Sequence, residues 1–215
     1  MSVQKRPPRS ASAADPPRST AAEQQMSRKT AAEDRWASVR TRHDLAADEV
    51  ISALQKEIRR GNAENAALLV YEMITTSSEL EAKMWQRLLT ISVEDVGWGN
   101  QEAPVIVHTL YRMHELFERG EGERRLFAIH AARLLCRSVK DRSSDEMSAW
   151  IKGEVENDRR LPSIPDYALD MHTARGRAMG RGARHFYEEA SRVSPELADR
   201  DTTYRQRLLA LLSAE

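Results

Sequence analysis

The sequence predicts an all-α protein, an antiparallel multi-helix bundle that follows a disordered N-terminal tail. Three observations support this fold class. Apolar residues recur every three or four positions along most of the chain after the tail, which is the period of an amphipathic helix. Short segments with glycine, asparagine or proline, residues that punctuate helices, separate these periodic stretches. No segment alternates apolar and polar residues for long enough to indicate a β-strand.

The N-terminal residues 1–30 are predicted to be a disordered, mildly basic tail, and residues 31–215 to be a helical domain. The tail contains two Pro-Pro pairs among Ser, Ala, Gln and Arg. Such a composition cannot bury enough apolar surface to offset the entropy of ordering. Residues 31–60 contain neither proline nor glycine, so one long helix that ends at Gly61 is predicted.

Later helices are predicted from polar or capping residues at their starts and from breaks at their ends. Five of them are predicted to begin at or just after Asn62, Ser78, Asn100, Glu123 and Ser143. Pro104 falls in the first turn of the helix after Asn100, where a missing amide costs nothing. A two-proline break at 161–165 and a glycine-interrupted stretch over 166–189 precede a terminal helix at 203–212.

The overall composition gives no indication of a charged or membrane partner. The 215 residues include 33 basic and 33 acidic ones, so no net charge attracts nucleic acid. No apolar run approaches the roughly 20 residues that span a bilayer, and the N-terminus has no hydrophobic signal core. The single cysteine, Cys136, lies in an apolar run, which predicts a buried, reduced thiol. We therefore expect a cytoplasmic protein without a membrane partner.

The helix predicted to begin at Ser78 carries the most distinctive motif of the chain, Ser92-Val93-Glu94-Asp95-Val96-Gly97. Ser78 and Glu81 have the spacing of a capping box, in which a hydroxyl and a carboxylate satisfy the first free amides. Two acids near the end of a helix are unfavourable by roughly a few tenths of a kcal/mol. We therefore expect Glu94 and Asp95 to have partners on other elements, as a structural tie between helices rather than as catalytic groups.

The order of these features resembles the C-terminal helical region of the replication-associated recombination ATPases, the RarA/MgsA family, which are relatives of clamp loaders. The resemblance covers residues 61–187. It is firmest at Ser92, Glu94, Asp95 and Gly97, with a looser match at Ile164–Thr173. It implies a collar-like, clamp-loader-like helical module that is homo-oligomeric. Its implied partners are replication, recombination or repair proteins, a separate AAA+ ATPase among them, and DNA.

The sequence departs from that family in one important respect. Family members carry an AAA+ ATPase module before this region, whereas this sequence has no Gly-x-x-x-x-Gly-Lys-Ser/Thr loop to hold a nucleotide's phosphates. The resemblance therefore does not imply ATP hydrolysis. We expect a non-enzymatic protein that has no cofactor and neither binds nor hydrolyses ATP.

A second hypothesis is direct binding of nucleic acid or a phosphate ligand by the acid-free segment 172–187. Its candidate binding residues are His172, Arg175, Arg177, Arg181, Arg184 and His185. Arginine binds phosphate bidentately, glycine allows close approach of backbone amides, and the aromatic residues that follow offer stacking faces. The alternative is that these arginines pair with the protein's own acids, either Glu188 and Glu189 or those of 141–158.

A metal-dependent hydrolase is the hypothesis that the sequence supports least. His185 and Glu189 have a four-residue spacing, which places two ligands on one helical face. No His-Glu-x-x-His motif, cysteine pair or third ligand at a fixed offset accompanies them. We predict no metal site and no catalytic residue.

Trp98 stands between two glycines and is compatible with two roles. Its ring either packs on a neighbouring helix or is exposed for a partner.

Overall fold

The computed structural model describes residues 35–213, and this part of the chain is all-α. It contains no β-strand, only an isolated antiparallel bridge between Arg40 and Ala46. The predicted fold class is confirmed. No helix within 35–213 combines the length and apolar character needed to cross a membrane. The predicted disordered tail, residues 1–30, lies outside the described residues.

Within the described residues, the chain divides into two compact units, one up to Ala149 and one from Trp150 onward. Six helices of twelve or more residues come first: α1 (Ala47–Arg60), α2 (Ala63–Thr76), α3 (Ser78–Ile91), α4 (Ala103–His114), α5 (Gly122–Arg137) and α6 (Ser143–Glu156). Between α3 and α4 lie a π-helical turn, Ser92–Val96, and a 3-10 turn, Gly97–Gly99. The later elements are a 3-10 turn (Asp166–Ala168), α7 (Ala174–Ala178), α8 (Ala183–His185), a π-helical turn (Phe186–Ala190) and α9 (Thr203–Leu211).

Helices α1 to α5 of the first unit pack around one apolar core. Helix α2 contacts α1, α3 and α5, and α4 contacts α5. The largest fully buried apolar side chains come from α1, α2, α3, α5 and the π-helical turn: Leu54, Ile58, Val70, Met73, Leu80, Met84, Trp85, Leu88, Ile91, Val96 and Leu135. Burying each such side chain contributes roughly 1.5–3 kcal/mol. The apolar positions that predicted α1, α2 and α3 from their spacing therefore face this core.

The long helix predicted over 31–60 is wrong in its first part, because α1 begins only at Ala47. Asp44 has a positive φ of 61°, which a helix cannot accommodate. The carboxylate of Glu72 on α2 accepts hydrogen bonds from the His43 amide at 3.0 Å and its ring Nδ1 at 2.6 Å. These contacts hold the segment before α1 against α2, and such a tertiary contact leaves no mark in the local sequence.

The capping box predicted at the start of α3 is also wrong. Ser77, rather than Ser78, caps the helix, and its Oγ accepts a hydrogen bond of 3.1 Å from an amide of the first turn. Glu81 is buried, and its carboxylate accepts hydrogen bonds from Nε of Arg124 at 2.6 Å and Nε of Arg119 at 3.2 Å. Glu81 therefore ties α3 to α5 and to the loop before it, and its carboxylate is bound by two arginines rather than by an amide of the first turn.

The remaining helix starts lie within three residues of the predicted ones. Pro104 is in the first turn of α4, as predicted. Asn62 precedes α2 without a capping bond from its side chain, and Asn100 Oδ1 accepts instead from the Glu102 amide at 3.2 Å, ahead of α4. The sequence therefore predicted the starts of these helices closely, but it did not predict which side chains cap them.

The position of the α3 cap gives a direct test. Ser77→Ala should lower the free energy of unfolding by about 1 kcal/mol, because it removes the acceptor for a free helix amide. The matched control Ser78→Ala should change it by less than about 0.5 kcal/mol. Urea denaturation measures both values. A larger loss for Ser78→Ala would contradict the observed cap.

Candidate functional site

The distinctive motif folds into the π-helical turn that continues α3. Inserted π-helical turns in longer helices are frequent at functional sites. Ser92 is buried, and its Oγ donates to the carbonyl of Leu89 at 2.7 Å. Gly97 has a φ of 49°, and a Cβ there would collide with the carbonyl oxygen of Asp141. Only glycine therefore fits position 97.

Asp95 is the buried centre of this turn. Its carboxylate has no exposed surface, and it accepts hydrogen bonds from Nε of Arg59 at 2.6 Å and Nε2 of Gln55 at 2.9 Å, both on α1. Nη1 of Arg142, just before α6, also donates to it. The expectation that Asp95 has partners on other elements is confirmed, and the residue joins three segments of the first unit.

Glu94 contacts the same cations from a more open position, with its side chain 24% exposed. It accepts from Nε2 of Gln55 at 2.6 Å and lies 3.4 Å from Nη2 of Arg87 on α3. Arg59 and Arg142 lie 3.6 and 3.7 Å from its Oε1. Glu94 therefore adds a second carboxylate to one charged network.

The network keeps Asp95 ionised. Burial alone would raise the pKa of this carboxyl, but the hydrogen bonds from Gln55, Arg59 and Arg142 outweigh it, so the pKa lies below its ordinary value. A lowered pKa means that the folded state favours the charged form. The associated stability is complete above the ordinary pKa and is lost as the pH falls through the lowered one.

Trp98 follows this network directly and is 66% exposed. Cβ atoms at Gly97 and Gly99 would collide with the carbonyls of Asp141 and Val139, so the backbone on both sides of Trp98 lies tightly against that segment. The Asp141 amide also donates to the carbonyls of Asp95 and Val96, each at 3.1 Å. The sequence was compatible with a packed or an exposed Trp98 ring. In the structure the ring is exposed, and the backbone that carries it is held in place.

The cationic residues of 172–187 lie in the second unit, and Arg181 is the most firmly bound of them. Its Nη2 donates to both carboxylate oxygens of Asp166, at 2.8 and 2.7 Å. Its Nη1 donates to the carbonyls of Asp166 at 2.7 Å and Leu169 at 2.9 Å. Only 17% of the Arg181 side chain is exposed. These four hydrogen bonds join the two ends of the 166–181 loop.

The other cationic residues of this segment differ in their partners. Arg184 pairs with Glu188 at 3.0 Å, His172 with Asp170 at 3.0 Å, and Arg177 donates to the Met171 carbonyl at 3.2 Å. Nδ1 of His185 is buried and has no hydrogen-bond partner among the described residues. Arg175 is exposed, and no described carboxylate lies within ion-pair distance of it. The predicted alternative of pairing with Glu188 therefore holds for Arg184, whereas Arg181 pairs with Asp166, an acid that the sequence analysis did not name.

Sequence reasoning missed the partners of Asp95. Arg59 and Arg142 lie 36 and 47 residues away from it along the chain. The only sequence signal was the unfavourable position of two acids at a helix end, which predicts that partners exist without identifying them.

Two comparisons with known proteins complete this description. The sequence matches no protein-family model, and a search of curated proteins finds no match to it. Within residues 35–213, no three His, Cys, Asp or Glu side chains converge as the ligands of a metal ion would.

Substitution of Asp95 tests the network. Asp95→Asn should lower the free energy of unfolding by about 3 kcal/mol, because it leaves two arginines without their buried partner. Glu94→Gln, at the more exposed acid of the same network, should cost about 1 kcal/mol or less. Denaturant unfolding near pH 7 measures both losses. Equal losses would contradict the central role of Asp95.

The same variant has a predicted pH dependence. Wild-type stability should decline as the pH falls below the ordinary pKa of Asp95, because the unfolded state then binds a proton more readily than the folded state. Asp95→Asn removes this titrating carboxyl group. The loss of stability on acidification should therefore be shallower in the variant than in the wild type. Thermal unfolding at a series of acidic pH values measures the slope, and parallel slopes in the two proteins would refute the assignment.

Proposed function

We propose that this chain is a non-enzymatic helical interaction module that acts with DNA replication, recombination or repair proteins in the cytoplasm. It associates with itself and with a separate AAA+ ATPase. The observation that carries the proposal is Trp98, an exposed aromatic ring on a backbone fixed by the Asp95 network. Tryptophan is among the residue types that contribute most to protein interfaces.

The fixed backbone supports an interaction role for energetic reasons. Binding costs free energy for every group that must be ordered. The turn around Trp98 is already ordered by the contacts of Gly97 and Gly99 with segment 139–141. Only the indole ring therefore loses freedom when a partner covers it.

The choice of partner rests on the resemblance to the helical region of the replication-associated recombination ATPases. Asp95 and Gly97, two of its firmest positions, hold the turn in place by charge pairing and by close backbone approach. This supports the view that the motif holds Trp98, the residue that follows it, in an exposed position. A collar-like module needs such a fixed surface in order to join its neighbours.

Self-association tests the proposal. Light scattering at micromolar concentration should give a dimer or larger species, and Trp98→Ala should weaken association at least about tenfold by removing an interface anchor. Trp150→Ala is the matched control, since Trp150 is also exposed but lies in the second unit. A Trp98→Ala variant that associates like wild type would contradict the proposal, and so would a monomeric wild type that also fails to bind an AAA+ ATPase.

Direct nucleic-acid binding is the second candidate, and one observation favours it. Arg175 and Arg177 are exposed on either side of Gly176, and neither pairs with a described carboxylate. Two guanidinium groups so placed are available for phosphates. Arg181 and Arg184 are already paired with Asp166 and Glu188. Of the four arginines predicted to bind phosphate, Arg175 and Arg177 are therefore the main candidates.

Salt dependence tests this second candidate. For single-stranded DNA, each phosphate contact contributes about −0.7 to the slope of log affinity against log salt. Converting Arg175 and Arg177 to glutamine should therefore flatten the slope by about 1.4. Arg181→Gln should instead destabilise the 166–181 loop. Binding without salt dependence, or an unchanged slope in the double variant, would exclude this role.

A further inference from the structure

The first unit carries an open basic cleft at the end of α5, whose lining includes neither Trp98 nor any residue of 172–187. Its volume is about 550 Å³, and it is lined by Asn100, His130, Arg133, Leu134, Arg137 and Ser138. The four α5 residues of this set recur at three, four and seven positions, so they share one face of the helix. No acidic side chain lines the cleft.

The two arginines of this cleft have no ion-pair partner within residues 35–213. Most described arginines form an ion pair or a hydrogen bond, but neither Arg133 nor Arg137 lies within ion-pair distance of any described carboxylate. Side chains four residues apart on a helix lie about 5–6 Å apart at Cβ, so both guanidinium groups can reach one bound anion. Guanidinium binds phosphate with two parallel hydrogen bonds.

The end of α5 would ordinarily repel an anion, because its free carbonyls carry partial negative charge. In this structure Lys140 Nζ donates to the carbonyls of Leu135, Cys136 and Ser138 at 2.8, 3.2 and 2.6 Å. This ammonium group offsets the negative end of the helix. The potential in the cleft is therefore set by its own cationic side chains.

The polar wall of the cleft is held in place by hydrogen bonds. Asn100 Nδ2 donates to Ser138 Oγ at 3.1 Å, and that hydroxyl donates to the carbonyl of Leu134 at 2.9 Å. One hydrogen of the Asn100 amide nitrogen remains available. The wall thus offers a positioned neutral donor in the cleft that the two arginines line.

Arg133 also lines a second, apolar cleft between α2 and α5. This cleft has a volume of about 470 Å³, and its other lining residues are Ala63, Glu64, Ala67, Leu68, Tyr71 and Ile129. Glu64 is the one acidic side chain on the lining of the two clefts. Leu68 and Tyr71 are 63% and 40% exposed. A residue shared by both clefts places an anion subsite beside an apolar one.

We propose that these two clefts form one binding site for a phosphorylated small molecule that carries an apolar or aromatic group. Arg133 and Arg137 bind the phosphate, with His130 and Asn100 beside them, and Leu68 and Tyr71 contact the apolar part. The site goes beyond the interaction role proposed for Trp98 and does not depend on it.

Calorimetric titration of the full chain with inorganic phosphate and with phenyl phosphate tests the proposal. Phosphate should bind with a Kd on the order of millimolar, and phenyl phosphate about fivefold more tightly because its ring buries apolar surface. Arg133→Gln combined with Arg137→Gln should weaken both probes at least about tenfold. Leu68→Ser should remove only the advantage of phenyl phosphate.

The matched control combines Arg40→Gln with Arg42→Gln, which removes the same charge from the segment before α1. The Arg42 amide donates to Thr76, at the C-terminal end of α2. The cleft lies near the other end of α2, because Gly61, just before α2, lies against the carbonyl of Cys136 on α5. This control should bind both probes as wild type does, and the far-UV circular dichroism of all variants should be unchanged. Absence of binding up to roughly 10 mM, or equal losses in the two double variants, would overturn the proposal.

Discussion

The pairing of the Asp95 carboxylate with Arg59 and Arg142 is the interaction on which the rest of the candidate site depends. A carboxylate without exposed surface is tolerated only if it is paired and hydrogen-bonded. Its partners come from α1 and from the segment before α6, so the turn cannot leave either one without stranding a buried charge. Gly97 and Gly99 then bring the backbone against the same segment, and Trp98 is left exposed between them.

The same device recurs twice in the first unit. Glu72 binds the segment before α1 through His43, and Glu81 binds the loop before α5 and α5 itself through Arg119 and Arg124. All three carboxylates are buried and all three lie on or next to bundle helices. The apolar core therefore sets how the helices pack, whereas the buried acids fix the irregular segments to them. Because the buried acids hold the irregular segments in place, the first unit has fixed loops, which an interaction surface requires.

The sequence predicted the parts of the fold that depend on local pattern. The spacing of Leu54 and Ile58, or of Met84 and Leu88, defines a helix face without any knowledge of its neighbours, and these residues are buried. The sequence could not predict the turn at Asp44, the loss of Glu81 as a cap, or the identity of the partners of Asp95. Each of these depends on side chains that are distant in the chain, where tertiary contacts override local preference. The basic cleft was missed for a related reason, since Asn100 and Arg137 become neighbours only in the folded chain.

Hydrogen exchange at the Asp141 amide, followed by NMR, measures most directly whether the Asp95 network locks the turn beneath Trp98. This amide donates to the carbonyls of Asp95 and Val96, although it belongs to an irregular segment. If the network holds the turn, the amide should exchange only through opening that costs nearly the full free energy of unfolding, as core helix amides do. In a folded Asp95→Asn variant the protection should fall well below that of the core. Exchange at the rate of an exposed loop in the wild-type protein would contradict the account.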